Sequence, residues 1–250
     1  MKILLHFCCA NCALYPLQKL RKEGHEIFGF FYNPNIHPYE EYKKRLAAVN
    51  EIEEKFKIRM IYQDHYDLEE FLRSIVFRES ERCKVCYHTR IEATAQIAKK
   101  GKFDAFTSTL LGSKHQDHEL IKEIGVAIGK KRGVNFFYCD FREGWAEGRE
   151  MSHKLGLYRQ QYCGCIYSEK ERFFKKWDIL MAEIGKLFLI SGIVLSLVGL
   201  IFLLGAKIPG LGRLPGDIFI KKGNITFFFP IVTCILISII VTLILSLFRR

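Results

Sequence analysis

Eight of the nine cysteines in this 250-residue chain lie within its first 165 residues, and they fall in groups: Cys8-Cys9-x-x-Cys12, Cys83-x-x-Cys86, Cys139 and Cys163-Gly164-Cys165. Thiolates at such short spacings hold soft metals or exchange electrons. The Cys83-x-x-Cys86 spacing suits zinc, an iron–sulfur cluster or a dithiol redox pair equally well. With a second cysteine pair elsewhere, four thiolates become available, a count that fits a [4Fe-4S] cluster or a structural zinc. Cys163 and Cys165 make poor partners on one tetrahedral ion, but they can close a small, strained disulfide whose tight backbone Gly164 permits. Strained, accessible disulfides are the labile, redox-active ones. A metal site beside such a pair points to electron transfer, which zinc cannot perform.

The elements around these cysteines must bring them together. Lys2 to Cys8 reads as a short apolar strand that runs through the cysteine loop into a helical pattern, Leu14, Leu17 and Leu20, closing at Gly24. Cys8 and Cys9 therefore sit between a strand end and a helix N-terminus, where the helix dipole favours thiolate. A second strand is expected over Ile27–Tyr32, ended by Asn33-Pro34-Asn35, then a charged amphipathic helix over residues 38–56 and a third strand over Ile58–Tyr62. Cys86–Lys100 reads as a helix, Phe103–Thr107 as a strand, His115–Arg132 as a helix and Val134–Tyr138 as a strand. Strands alternating with helices predict an α/β fold with a mainly parallel sheet covered on both faces. Ligands in such sheets lie beyond the carboxyl ends of the strands, where Cys8, Cys9, Ser108 and Cys139-Asp140 all fall. The opening MKILLHFCCA is mistaken easily for a lipoprotein signal, but His6 breaks its apolar run and a charged helical pattern follows, so it reads as a buried strand.

The last third of the chain has another character. Gly185–Ala206 carries one charge, Lys186 at its edge, and Phe227–Phe248 carries none. Each matches the roughly 20 apolar residues that cross a bilayer, which predicts a two-helix transmembrane hairpin with Cys234 as packing. The expected domains are residues 1–178 and 179–250. Of the net charge of +11, the second part carries +5 and the first +6, a moderate excess that permits nucleic-acid binding without establishing it. Six basic residues near the outer ends of the spans (Arg172, Lys175, Lys176, Lys186, Arg249, Arg250) face four in the connecting loop (Lys207, Arg213, Lys221, Lys222), which favours both ends in the cytoplasm. A dense set of free cysteines also belongs in a reducing compartment. The expected location is the cell membrane, with the cysteine-rich domain on its cytoplasmic side.

The ordered motifs His6-Phe-Cys-Cys-Ala-Asn-Cys12, Arg82-Cys-Lys-Val-Cys-Tyr87 with Arg90, Thr107-Ser-Thr-Leu-Leu111, Asp140-Phe-Arg142 and Tyr158-Arg-Gln-Gln-Tyr-Cys-Gly-Cys165 carry a resemblance. Over residues 1–172 the chain resembles the epoxyqueuosine reductases of the QueH type, departing from them at Asn11, where the family usually has proline. The resemblance implies a Rossmann-like (HUP-like) sheet, a [4Fe-4S] cluster held by Cys8, Cys9, Cys83 and Cys86, and a redox-active pair at Cys163 and Cys165. It implies an additional mononuclear iron, for which Cys12 and Asp117 are candidates, with His115 and Asp140 as further ones. The reaction implied is the last step of queuosine biosynthesis, two-electron removal of the epoxide oxygen from the modified guanine at the tRNA wobble position, with an electron donor that the sequence does not name. The tail, through Gly210-Leu-Gly-Arg-Leu-Pro-Gly-Asp-Ile218 and Gly223-Asn224, resembles a small bacterial family of two-span membrane proteins of uncharacterised function.

Reductive opening of an epoxide also needs an acid for the departing oxygen and an anchored base, and Tyr158, Arg159, Tyr162 and His6 are the candidates. Lys43-Lys44-Arg45, Lys99-Lys100 and Lys130-Lys131-Arg132 are candidate phosphate contacts to tRNA. Two readings from other classes compete: a zinc-stabilised nucleic-acid-binding module with a membrane anchor, and a membrane-linked thiol–disulfide exchange protein.

Overall fold

The computed structural model describes residues 1–205, 216, 218–222, 225–229, 231–232, 235, 238–239 and 242. The chain divides into two compact units, Met1–Trp177 and Asp178–Arg250.

In the first unit five strands, β1 (Lys2–His6), β2 (Glu26–Phe31), β3 (Arg59–Tyr62), β4 (Ala105–Ser108) and β5 (Asn135–Phe136), form one sheet in the order β3-β2-β1-β4-β5. Every pairing is parallel, with Leu4 of β1 opposite Phe28 on one side and Phe106 on the other. The central strand reads as an unbroken apolar run because both its faces are covered, and Ile3, Leu4 and Leu5 are all fully buried. The helices are α1 (Ala10–Lys22), α2 (Tyr39–Phe56), α3 (Leu68–Ile75), α4 (Arg82–Lys100), α5 (His118–Arg132), α6 (Trp145–Lys154) and α7 (Ile166–Gly205). Helix α1 packs with α2 and α6, whereas α4 packs with α5 and against β1 and β4. Right-handed crossovers set these two groups on opposite faces. The chain runs from β1 outward in one direction and from β4 outward in the other, so the order reverses between β1 and β4. That switch point is the crevice where doubly wound sheets bind ligands, and Cys8 and Thr109 follow its two strands.

Some element bounds differ from expectation. Helix α4 begins at Arg82, so Cys83 and Cys86 lie inside its first turns, and β5 has two residues rather than five. Two helices lie outside the expected elements: α3, eight residues long and capped by Asp67, and α6 (WAEGREMSHK), polar on most of its surface.

In the second unit, Leu180–Leu197 within α7 has a mean hydropathy of 1.9 and none of it is buried; among the described residues it is the one helix long and apolar enough to cross a membrane. Strands β6 (Ile218–Lys222) and β7 (Ile225–Phe229) pair antiparallel, with Ile220 opposite Phe227. The expected second span started at Phe227, but Phe227–Phe229 belong to β7. Most of the remainder of that span, Cys234 included, lies outside the described residues, as does most of the Gly210–Ile218 motif.

Candidate thiol and metal site

The ends of the central strands are tied together by His6. Its ring is fully buried, with Nδ1 2.9 Å from Ser108 Oγ at the end of β4 and Nε2 3.1 Å from the Tyr32 carbonyl after β2. Burial, and then the charge of Arg90, lower its pKa to about 4. A neutral imidazole bonded at both nitrogens positions the loop and is not a proton donor to a substrate. Two residues on, the Cys8 N–H donates to Thr109 Oγ1 at 3.0 Å, and the Thr109 hydroxyl donates to Cys8 Sγ at 3.2 Å.

Cys9 is the N-cap of α1, its sulfur accepting from the Cys12 N–H at 3.3 Å. The sulfurs of Cys8, Cys9 and Cys12 all lie within 4.8 Å of one another. Hydrogen bonds from Cys12 and Cys9, then from Thr109, hold Cys8 well below the usual thiol range. Burial pushes Cys9 up, and hydrogen bonding to Cys8 pushes Cys12 up. Within the trio, Cys8 is the thiol most favoured as thiolate. Gln160 Nε2 donates to Cys9 Sγ at 2.8 Å and reaches Cys12 Sγ at 3.5 Å. Asn11 uses its amide as a proline never could, donating to Gln160 Oε1 at 2.8 Å and to the Tyr158 carbonyl at 3.0 Å while accepting from Ser152 Oγ.

The second group lies on α4. Cys83 is exposed and Cys86 buried. Burial raises both thiols, Cys86 to about 11 against the opposing pull of Arg90. Arg90, one turn beyond Cys86, is only 2 % exposed. Its Nη2 donates to Cys86 Sγ at 2.9 Å, its Nε to the Cys86 carbonyl at 3.3 Å and its Nη1 to Asn33 Oδ1 at 3.4 Å. None of these partners is a carboxylate. Its charge acts on Cys86, Cys8 and Cys163. A buried cation without a carboxylate is tolerated only beside other negative charge, and the surrounding sulfurs are the groups that can carry it. The Cys8, Cys9 and Cys12 trio fits a soft metal ion, and Cys83 and Cys86 are not part of that tight group.

The Cys163-Gly164-Cys165 loop lies beside them. Its two sulfurs are 3.8 Å apart and unbonded, and Ser168 Oγ is 2.9 Å from Cys163 Sγ. The hydrogen bond from Cys165, then that of Ser168, lowers Cys163 to about 5, and the same bond together with burial raises Cys165. Gly164 takes φ +130°, a region that favours glycine, and its carbonyl accepts from the His37 N–H at 2.8 Å. Arg45 pins the loop by donating to the carbonyls of Cys163 at 2.8 Å and Tyr162 at 2.9 Å, while Glu41 holds its Nε at 2.8 Å. Arg45 is 2 % exposed, so it is a structural cation and not the phosphate contact expected of it.

The other expected residues take separate places. Asp117 is the N-cap of α5, its Oδ1 accepting from the Leu120 N–H at 3.0 Å, and it is not part of the cysteine trio. Asp140 grips Arg142 through both carboxylate oxygens, and the backbone N–H of His115 donates to Ser113 Oγ on an exposed loop. Tyr158 donates to Glu41, and Tyr162 donates to the His37 carbonyl at 2.5 Å. Lys43 pairs with Glu40 and Arg132 with Glu92. Arg90 and Gln160 had been given no role from sequence, although Arg90 follows Cys86 by four residues and Cys83 by seven, the spacing of one helix face.

Residues 3–171 match the family model described as epoxyqueuosine reductase QueH, and residues 185–248 match one described as a protein of unknown function (DUF2905). An epoxyqueuosine reductase QueH from Dehalococcoides mccartyi is 37 % identical over 70 % of this chain and 96 % of its own length. One from Thermotoga maritima is 38 % identical over 71 % of this chain and 95 % of its own. A solved structure described as a predicted subunit of tRNA methyltransferase from Methanocaldococcus jannaschii aligns at 12 % identity and a TM-score of 0.38, over 63 % of this chain and 89 % of its own. With residues 3–171 matching the family model and two relatives 37–38 % identical over nearly their whole length, the chain belongs to the epoxyqueuosine reductase QueH family.

Proposed function

We propose that this chain is a membrane-tethered reductase of epoxyqueuosine at the tRNA wobble position, in which Cys163 and Cys165 exchange electrons with the substrate. One observation carries the reading: a low-pKa thiol and a high-pKa thiol lie 3.8 Å apart, and the buried cation whose charge acts on the first also bonds Cys86 and acts on Cys8. The chemistry balances. Loss of the epoxide oxygen as water, with a double bond left behind, consumes two electrons and two protons. Closing the Cys163–Cys165 dithiol to a disulfide releases the same number, and an external donor must then reduce the disulfide.

In this reading Cys8, Cys9, Cys83 and Cys86 hold a [4Fe-4S] cluster, which when bound supplies single-electron steps between dithiol and substrate. Cys12 is the candidate for an additional mononuclear iron, and Asp117 would have to serve it with the oxygen not engaged at Leu120. Arg90 offsets the negative charge of the sulfurs, His6 and Thr109 fix the loop that carries Cys8, and Arg45 holds the exchangeable pair in place. The uncovered apolar helix Leu180–Leu197 supports a membrane anchor, with the reductase domain on the cytoplasmic side, where thiols stay reduced.

Anaerobic purification of the full chain in detergent tests the cofactor assignment. Brown protein with near-stoichiometric iron and sulfide is the expected result. Colourless protein holding one zinc on the Cys8, Cys9, Cys12 trio would overturn it in favour of the zinc-stabilised module.

A further inference from the structure

Beside Cys12 a cavity open to solvent lies between α1, α6 and the segment around Arg159. Cys12 and Gln160 line it on the side of the thiol trio, and Tyr15, Phe141 and Trp145 supply apolar lining. Gly112, Gly144 and Gly148 are part of its lining and present no side chain to it. Two exposed arginines, Arg149 and Arg159, also border it. The Arg149 guanidinium lies 5.5 Å from the Trp145 ring centre, and Lys114 Nζ lies 5.0 Å from it.

Aromatic walls accept a flat ring by stacking, and guanidinium groups outside them suit the flanking phosphates. A lining that includes a partly buried thiol and an amide suits a ring whose substituents must reach the thiol group. We infer that this cavity receives the wobble nucleotide extruded from the anticodon loop, with its base stacked on Trp145 and its backbone phosphates against Arg149 and Arg159. The inference rests on the proposed reductase reading and deepens it by assigning the substrate's place at the Cys12 side of the thiol cluster.

Trp145 and Trp177 are the only tryptophans, so a Trp177→Phe background isolates the signal of Trp145. Full-length protein in detergent is titrated with an anticodon stem-loop, and turnover of epoxyqueuosine-containing tRNA is measured in parallel. Quenching of Trp145 on binding is expected. Trp145→Ala should raise KM roughly 5- to 150-fold, the range set by loss of one base stack, with the visible absorbance of the cluster unchanged and Trp145→Phe recovering most of the loss. Arg149→Gln and Arg159→Gln should each lower the slope of log affinity against log salt by about one. Turnover without quenching, or a KM unmoved in Trp145→Ala, would overturn the pocket assignment. Quenching that follows the stem-loop in a wild-type protein unable to reduce epoxyqueuosine would sink the reductase reading and leave the pocket standing.

Discussion

Replacing Arg90 by methionine should shift the potential of the proposed [4Fe-4S] cluster downward while leaving the fold in place. Arg90 is 2 % exposed and donates to Cys86 Sγ at 2.9 Å, with no carboxylate partner among the described residues. Hydrogen bonds from a charged donor contribute about 1.5–3 kcal/mol. A one-electron couple moves 59 mV for each tenfold change in equilibrium, which is about 1.4 kcal/mol. Complete loss of that stabilisation in the reduced state alone would therefore lower the potential by about 130 mV at most. Because the bond also exists in the oxidised state, a fall of roughly 30–130 mV is expected from these same quantities. The sign follows from charge: the reduced state is more negative, and removal of a cation disfavours it. Arg90→Lys keeps the charge and should shift the potential less. Methionine fills much of the same volume, and an apolar replacement of a buried charge is often tolerated. Asn33 Oδ1 and the Cys86 carbonyl lose a donor, so thermal stability will fall as well. The assay is an anaerobic potentiometric titration of the full-length holoprotein, followed by visible absorption and electron paramagnetic resonance. A potential that stays put or rises in Arg90→Met, with iron and sulfide retained, would refute the role given to this residue.

Three further outcomes follow from the same geometry. Cys163→Ser should retain the cluster's absorbance and abolish turnover; loss of the absorbance would make Cys163 a ligand. Because its pKa is lowered to about 5, Cys163 should remain thiolate well below neutrality. Its alkylation by iodoacetamide, read by peptide mass, should be level through neutral pH and fall only near pH 5, whereas a midpoint near that of an ordinary thiol, about 8.5, would contradict the assignment. Gly164→Ala places a Cβ at 3.0 Å from Ile36 Cγ1 and 3.1 Å from Arg45 Nη1 at φ +130°. It should lower stability by about 1–3 kcal/mol in denaturant unfolding and slow closure of the Cys163–Cys165 bond, and unchanged stability would show that the loop relaxes freely.

The sheet was legible because its strands are short apolar runs separated by amphipathic helices, and Ile3, Leu4 and Leu5 needed only that pattern to be set at the centre. The cysteine groups were legible because spacing alone restricts what thiols can do. What joins the groups was not. Arg90 and Arg45 carry the same formal charge as any surface arginine, and only tertiary contact distinguishes a buried guanidinium beside sulfur from a solvated one. Asp117 looked like a metal candidate by residue type, yet its position one residue ahead of α5 makes it a helix cap first. Phe227–Phe229 continued an apolar run that matched the length of a span, but the antiparallel pairing with Ile218–Phe219-Ile220 takes them into a hairpin. Trp145 lies on a short polar helix with no periodic signal, and the cavity it walls exists only because α6 packs on α1.

The most direct measurement expresses the full-length chain in a strain that lacks its own epoxyqueuosine reductases and resolves the tRNA nucleosides by mass. Queuosine should replace epoxyqueuosine, and the Cys163→Ser protein expressed to the same level should leave epoxyqueuosine in place. Epoxyqueuosine that persists beside wild-type protein loaded with iron and sulfide would contradict the account.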